Sequence, residues 1–305
     1  MERYQALLPL LFVTTYFLVA MAAFSLRTVL HGLPIDSEVM KRGSSPILGR
    51  YFRHYIMWVL APYERSLVKL GVSPNALTLA SLVTASGSAA CLAYGHFGAG
   101  GWLYLLTGIL DIVDGRVARA TNRVSKGGAF FDSVIDRYAE IAVFGGLTFY
   151  YRDTWVLGVV LLAAAGSVMV SYIRARGEAL GVDVKVGTMQ RPERLLYLGA
   201  FVAHSPVFEA IYPSTGAAAA HPMYWPAVVA LVLLGISANL TAVRRIQHTL
   251  AALEAAPLSQ SAAQPSAEVI SPIVEPARPP RLAPSPTAVP SPMGRRLLAL
   301  LRPVG

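Results

Sequence analysis

Residues 111–136 read DIVDGRVARATNRVSKGGAFFDSVID and contain four aspartates, Asp111, Asp114, Asp132 and Asp136. The aspartates lie in or beside apolar segments, and a carboxylate at the centre of a bilayer costs about 2.5–3.5 kcal/mol. A single residue of this kind could join two helices through a hydrogen bond. Four at ordered spacing indicate a shared chemical task.

The spacing of the aspartates predicts one carboxylate pocket. Asp111 and Asp114 are three residues apart, and Asp132 and Asp136 are four apart, so each pair shares a helix face. The polar, glycine-containing turn around 122–128 predicts that the two helices are antiparallel neighbours. Four carboxylates then converge near the membrane surface, and their mutual repulsion requires divalent cations. Oxygen-only ligands suit magnesium, manganese or calcium, and the expected cofactor is two ions of Mg2+ or Mn2+.

Small and basic residues between the aspartates fit a phosphate-containing ligand. Gly115 and Ala118 leave one helix face bare, so a ligand can come close. Arg119 offers a charged fork for a phosphate, and Gly128 allows close helix approach. Taken singly, helix packing explains the small residues and positive-inside charge explains Arg119. Taken together with four aspartates, these residues favour a binding site.

The composition places this pocket in a membrane protein. Of 305 residues, 54% are hydrophobic and only 14% charged, whereas soluble domains carry about a quarter charged residues. The predicted fold is an all-α, polytopic membrane protein. It has a six-helix transmembrane core with a preceding interfacial helix, plus one extra N-terminal transmembrane helix. Apolar stretches that approach the length of a membrane span lie near 7–26, 77–97, 102–122, 128–150, 155–175, 193–212 and 225–246.

Three regions are expected along the chain. Residues 1–34 hold the extra N-terminal helix, for which cleavage as a signal peptide near Ala20-Met21-Ala22 is the alternative. Residues 35–250 form the core, and the aromatic and basic residues of 50–70 predict a helix lying along the membrane, or else a plain connector. Residues 251–305 are rich in Pro, Ala and Ser and predict a disordered tail.

The basic residues orient the chain. The net charge is +9, but the basic residues fall in short stretches between apolar segments, so a nucleic-acid partner is not expected. Alternation of the six core helices puts the basic connections on one side, which is then cytoplasmic. We therefore expect a multi-pass protein of the cell membrane whose active site faces the cytoplasm. The single cysteine, Cys91, excludes a disulfide framework.

The motif Asp111-x2-Asp114-Gly115-x2-Ala118-Arg119-x8-Gly128-x3-Asp132-x3-Asp136 resembles the full signature of the CDP-alcohol phosphotransferase family. The resemblance covers residues 45–250, and Pro74-Asn75-x2-Thr78 looks like the family's entry to its first core helix. It implies a six-helix core preceded by a membrane-parallel helix, and it suggests a homodimer. The extra N-terminal helix and the Pro-rich tail depart from the family pattern.

The resemblance also implies a reaction and a role for each motif residue. A phosphatidyl group would pass from CDP-diacylglycerol to the hydroxyl of a small alcohol, with release of CMP, in phospholipid biosynthesis among membrane lipids. The metal ions would be bound by Asp111, Asp114 and Asp132, with Asp136 beside them as a further ligand and the general base. The CDP moiety would be held by Thr78, Asp114, Gly115, Ala118, Arg119 and Gly128.

A second basic cluster bears on the acceptor alcohol. Arg174, Arg176, Arg191 and Arg194 are predicted to contact a phosphate on the acceptor, with ordinary positive-inside charge as the alternative. The strings SYIRAR and RPER are similar to those of the family's bacterial phosphatidylinositol-phosphate synthase branch, which implies inositol phosphate. Glycerol 3-phosphate is the second candidate. Serine, which has no phosphate, would leave the arginines less well explained.

Two other classes of function are compatible with parts of the sequence. A polytopic ion-coupled transporter could use intramembrane carboxylates, although no inverted repeat is visible and the aspartates all lie in one half of the chain. An inactive scaffold would fit a broken motif, yet every fixed position is present. Uptake into vesicles tests the transporter, and metal-dependent release of CMP tests the scaffold.

Overall fold

The computed structural model describes residues 8–35, 39–40, 49–184, 186–187 and 189–255. These residues form α-helices and one short 3-10 helix, and no strand occurs among them. In chain order the helices are α1 (Leu8–His31), α2 (Arg50–Lys69), α3 (Pro74–Ala93), α4 (Phe97–Ala120), α5 (Lys126–Tyr150), α6 (Val156–Ala179), α7 (Arg191–Ile211), the 3-10 helix Gly216–Ala219, and α8 (Trp225–Ala255). The all-α prediction is confirmed. The predicted tail lies, from residue 256 on, outside the described residues.

Four of the described helices, α1, α3, α6 and α8, are long and apolar enough to cross a membrane. Helices α4, α5 and α7 have 24, 25 and 21 residues, so each has the length of a span. They also carry most of the charged residues predicted for the site, and these charges lower their hydropathy. The polytopic membrane fold is confirmed, and the three less apolar helices are the ones that build the site.

The six core helices form a ring whose order differs from the chain order. Around the ring each helix packs against the next in the sequence α3, α4, α7, α8, α6, α5 and back to α3. The expectation that α4 and α5 pack as direct neighbours was wrong, because they touch each other only slightly. Helix α3 packs closely against both of them instead. The backbones of α4 and α5 are therefore not packed directly against each other at the aspartates.

Glycines explain why α3 comes so close to both helices. A Cβ atom at Gly146 of α5 would collide with the backbone of Ala89 on α3. A Cβ atom at Gly100 of α4 would lie 2.7 Å from the side chain of Leu92, also on α3. Bare glycine surfaces let helix backbones approach, and packing between membrane helices depends on such contact.

The turn between α4 and α5 is fixed by local sequence. Asn122 adopts φ 54°, a left-handed conformation that asparagine tolerates and that ends α4. Ser125 then caps α5, because its hydroxyl accepts the backbone N–H of Gly128 at 3.0 Å. Ser73 caps α3 in the same way by accepting the N–H of Ala76 at 3.3 Å, with Pro74 in the first turn. These caps set where the site helices begin.

Helix α2 lies against the end of the ring that carries this turn, which we call the site end. Glu64 on α2 pairs with Arg116 on α4 at 2.5 Å, and Arg53 on α2 pairs with Glu193 on α7 at 3.2 Å. Helix α1 packs against α2 through Phe24, which is fully buried. The interfacial helix and the extra N-terminal helix are thus both present.

Candidate active site

Three of the four predicted aspartates meet at the site end of the ring. Asp111 on α4 and Asp132 and Asp136 on α5 each offer a carboxylate oxygen, and these oxygens lie within 4.8 Å of one another. Asp132 Oδ1 is buried and accepts no hydrogen bond. A buried carboxylate oxygen without a donor is rare and costly, and a divalent cation would satisfy it. The three residues therefore fit the expected metal.

Asp114 is held apart from this cluster. Its Oδ2 accepts a hydrogen bond from the hydroxyl of Thr78 at 2.6 Å, and its side chain is buried against α3. The side chains of residues three apart in an α-helix differ in direction by roughly 60°. Asp114 therefore points toward α3, while Asp111 faces α5. Three of the four expected carboxylates therefore share this cluster, and Asp114 lies beside them.

Arg191 is the cation that joins the aspartates in this structure. It begins α7, and its guanidinium forms ion pairs with Asp111 at 2.7 Å and Asp136 at 2.5 Å. Arg191 therefore connects α7 with two other helices of the ring, with α4 through Asp111 and with α5 through Asp136. The sequence predicted Arg191 as a contact for the acceptor phosphate, and the structure places it within the reach of any ligand bound there.

The predicted nucleotide residues lie along α4 and the first turns of α3 and α5. On α4, the guanidinium of Arg119 lies over Gly115, and a Cβ atom built on Gly115 would be 3.4 Å from Arg119 Nη1. Ala118 is half-buried between them. At the start of α5, a Cβ atom on Gly128 would lie 3.9 Å from Asn75 Oδ1 of α3. Thr78 on α3 bonds to Asp114 on α4, so these residues lie on the α3 side of the aspartates.

The four predicted acceptor arginines are not equivalent. Arg191 lies at the aspartates. Arg194 is almost fully buried, with 1% of its surface exposed, and it bonds to Glu140 on α5. Arg174 is exposed and pairs with Glu178 one turn along α6 at 2.8 Å, and Arg176 is exposed as well. The structure thus brings one of these arginines to the aspartates, buries the second and leaves two on the surface.

One buried residue near the site, Glu140, was missing from the predicted set. Glu140 follows Asp136 by one helical turn and is buried, and Arg137 Nη1 donates to Ser171 Oγ on α6 at 2.8 Å. The sequence did carry a signal for Glu140, because a glutamate inside an apolar helix demands a partner. The partner itself, Arg194, lies far along the chain and could not be read from the local pattern.

Comparison with known proteins points to one family. The model of the CDP-alcohol phosphatidyltransferase family matches residues 71–233, which include the whole aspartate motif. The phosphatidylinositol phosphate synthase of Streptomyces avermitilis is 38% identical over 178 residues, which cover 54% of this chain and 71% of the relative. The archaetidylinositol phosphate synthase of Aeropyrum pernix is 37% identical over 152 residues, which cover 48% of this chain and 75% of the relative.

Solved structures agree with the sequence comparison. The phosphatidylinositol phosphate synthase of Mycobacterium tuberculosis with CDP-DAG bound aligns with a TM-score of 0.53 and 27% identity, over 62% of this chain and 92% of that one. Its complex with manganese and citrate aligns with a TM-score of 0.54 and 26% identity, over 62% and 88% of the two chains. The helical ring, the aspartate cluster and the family match lead to one conclusion: this chain is a membrane enzyme that belongs to the CDP-alcohol phosphatidyltransferase family.

Proposed function

We propose that the protein transfers a phosphatidyl group from CDP-diacylglycerol to an inositol phosphate and releases CMP. The observation that carries this proposal is the cluster of Asp111, Asp132 and Asp136 around the guanidinium of Arg191. Carboxylates suit the metal chemistry of phosphoryl transfer, and the arginine suits a phosphorylated acceptor. The acceptor is inferred from relatives that are named phosphatidylinositol phosphate synthase.

The metal ligands are Asp111, Asp132 and Asp136, and the motif makes Asp114 a further candidate ligand. Bound divalent cations, two ions of Mg2+ or Mn2+, supply charge neutralisation at the diphosphate and make CMP a better leaving group. A neighbour of this fold has been solved with manganese. Asp132 Oδ1, buried without a donor, supports the proposal on this chain's own residues.

The chain's own groups account for the proton and for the placement of the donor. Asp136 accepts the proton of the acceptor hydroxyl, whose oxygen forms the new bond to the phosphatidyl phosphorus. The phosphoanhydride bond to CMP breaks, and the proton leaves Asp136 for solvent. Arg119 contacts a phosphate of the donor, while the bare surface at Gly115 and Ala118 admits the nucleotide.

The acceptor side of the site is basic. Arg191, with its side chain 19% exposed, and Arg137, 34% exposed, reach the opening beside Asp136 and would contact the acceptor phosphate. Arg174 and Arg176 are exposed on α6 and would add positive charge at the entrance. We place this opening on the cytoplasmic side, because the site-end connections carry the basic residues. The lipid donor then enters from the bilayer and the soluble acceptor from the cytoplasm.

The test is release of CMP by the purified protein in lipid nanodiscs with CDP-diacylglycerol and Mn2+ or Mg2+. Inositol 1-phosphate, inositol, glycerol 3-phosphate and serine are offered separately, and the lipid product is identified by mass spectrometry. We expect product with inositol 1-phosphate, and its loss after addition of a chelator. Product with glycerol 3-phosphate alone would show that the acceptor is glycerol 3-phosphate, and the proposed type of reaction would stand. Failure with every acceptor, together with no binding of CDP-diacylglycerol, would overturn the proposal.

A further inference from the structure

A buried ion pair crosses the ring one helical turn below the aspartates. Glu140 on α5 has 4% of its surface exposed, and Arg194 on α7 has 1%. Arg194 donates to Glu140 Oε1 from Nε at 3.1 Å and from Nη2 at 3.0 Å, and Nη2 also approaches Oε2 at 3.3 Å. Such a two-pronged contact fixes both side chains in one geometry.

This pair repeats the one above it. Asp136 and Glu140 are four residues apart on α5, and Arg191 and Arg194 are three apart on α7, so each pair of side chains stacks along one helix face. The upper pair, Asp136 with Arg191, is partly open to the site, whereas the lower pair is closed. Two parallel ion pairs thus connect helices that are not adjacent in the ring.

Glu140 also holds a second arginine, Arg137. Arg137 Nη1 lies 3.4 Å from Glu140 Oε2 and donates to Ser171 Oγ on α6 at 2.8 Å. Arg194 Nη2 reaches the same Ser171 hydroxyl at 3.4 Å. The carboxylate of Glu140 therefore lies between two guanidinium groups and is the anionic partner of both.

We propose that Glu140 is a positioning residue for acceptor binding, an inference that rests on the proposed phosphorylated acceptor. Its carboxylate neutralises Arg194 and orients Arg137, so that Arg137 and Arg191 face the acceptor phosphate together beside Asp136. Glu140 touches no substrate itself. Without its charge, Arg137 loses the carboxylate that orients it, and Arg194 is left buried without a counter-ion.

The first test is Glu140→Gln, which keeps the size of the side chain and removes its charge. We expect the KM for inositol 1-phosphate to rise roughly tenfold, which corresponds to about 1.4 kcal/mol. The KM for CDP-diacylglycerol should stay within a factor of about two of the wild-type value. Glu140→Asp keeps the charge and should recover part of the acceptor KM. Glu254→Gln, an exposed glutamate on α8, is the control and should behave as wild type.

A double variant separates positioning from a purely structural role. Glu140→Gln with Arg194→Gln removes both charges of the buried pair, so thermal stability should return toward wild type because Arg194 is no longer buried without a counter-ion. The acceptor KM should stay high, because Arg137 still lacks its carboxylate partner. Recovery of both stability and acceptor KM in the double variant would overturn the inference.

The outcomes for the inference and for the proposed function can be told apart. If the wild-type enzyme uses a different phosphorylated acceptor, the same comparison is made with that acceptor. An active wild type with an unchanged acceptor KM in Glu140→Gln overturns the positioning role alone. A wild type that transfers to no phosphorylated acceptor overturns the proposed acceptor and the positioning role with it.

Discussion

At the scale of single residues, the four aspartates of the motif divide into two environments. Asp111, Asp132 and Asp136 present oxygens to one another across the gap between α4 and α5. Asp114 instead accepts a hydrogen bond from Thr78 and lies against α3. Identical side chains on one motif therefore have different partners, and substitutions at each position should have different effects.

Asp136→Asn should abolish transfer while the protein still folds and binds CDP-diacylglycerol. An amide cannot accept the acceptor's proton, and general-base catalysis contributes about 10²–10⁴-fold to a rate. The measurement is kcat for CMP release, together with the Kd for CDP-diacylglycerol. Asp153→Asn is the control, since this carboxylate is 84% exposed in the connection between α5 and α6. Near-normal turnover by Asp136→Asn would show that another group takes the proton.

Thr78→Val should weaken donor binding. Valine fills the same space but removes the hydroxyl that donates to Asp114 at 2.6 Å, and loss of one partner from a buried hydrogen bond costs about 1–3 kcal/mol. We expect the Kd for CDP-diacylglycerol to rise about tenfold or more and the melting temperature to fall. Ser86→Ala on the same helix is the control, because its exposed hydroxyl bonds only to the α3 backbone at Leu82. Equal Kd values for the two variants would contradict a role for Thr78 in placing Asp114.

The sequence points to the motif aspartates but not to the arginines that pair with them. A carboxylate in an apolar helix is visible locally, but helix periodicity put Asp111 and Asp114 on one face, whereas in the structure Asp114 bonds to Thr78 on α3. The ion pairs of Arg191 with Asp136 and of Arg194 with Glu140 depend instead on how α7 packs, which local spacing does not encode. For the same reason Glu140 was missed as a member of the site.

At the scale of helices, close packing of α3 sets the width of the site. Gly146 on α5 meets the backbone of Ala89 on α3, so the two helices touch at that point without side chains between them. The sequence suggested that α4 and α5 were neighbours because a short turn joins them. The structure shows α3 packed against both, which a short turn alone cannot reveal.

Gly146→Ala should therefore destabilise the enzyme, whereas Gly145→Ala should not. A methyl group at Gly146 would collide with the Ala89 backbone, and overpacking of this kind costs about 1–3 kcal/mol. A Cβ atom at Gly145 would meet no neighbouring atom within 4 Å, and alanine is more stable than glycine in a helix by about 1 kcal/mol. The melting temperature in detergent measures both. A Gly146→Ala variant as stable as Gly145→Ala would mean that α3 and α5 are less closely packed than described.

At the scale of the whole molecule, the membrane topology follows from the ring and from the placement of its connections. The site-end turn between α4 and α5 contains Arg123, and the connection between α5 and α6 at the opposite end contains Asp153. The number and type of helices could be predicted from apolar runs and caps. Their cyclic order could not, because it depends on contacts such as α4 with α7 that join distant parts of the chain.

Single-cysteine labelling tests the proposed orientation. Cys91 is first replaced by serine, since it is the chain's only cysteine. A cysteine is then placed by Arg123→Cys or Asp153→Cys, both at exposed positions. A membrane-impermeant maleimide should label Asp153→Cys in intact cells, and it should label Arg123→Cys only after permeabilisation. The reverse pattern would put the active site on the outer face, where a cytoplasmic acceptor could not reach it.

The cyclic order of the helices also constrains how the protein is made. Helices leave the ribosome in chain order, yet α4 packs against α7, and the carboxylates of α4 and α5 meet Arg191 and Arg194 only once α7 has been synthesised. Until that moment Asp111 and Asp136 enter the insertion machinery without Arg191, with which they form ion pairs in the finished ring. A nascent chain arrested before α7 therefore lacks the two arginines that tie the carboxylates of α4 and α5 together in the finished ring.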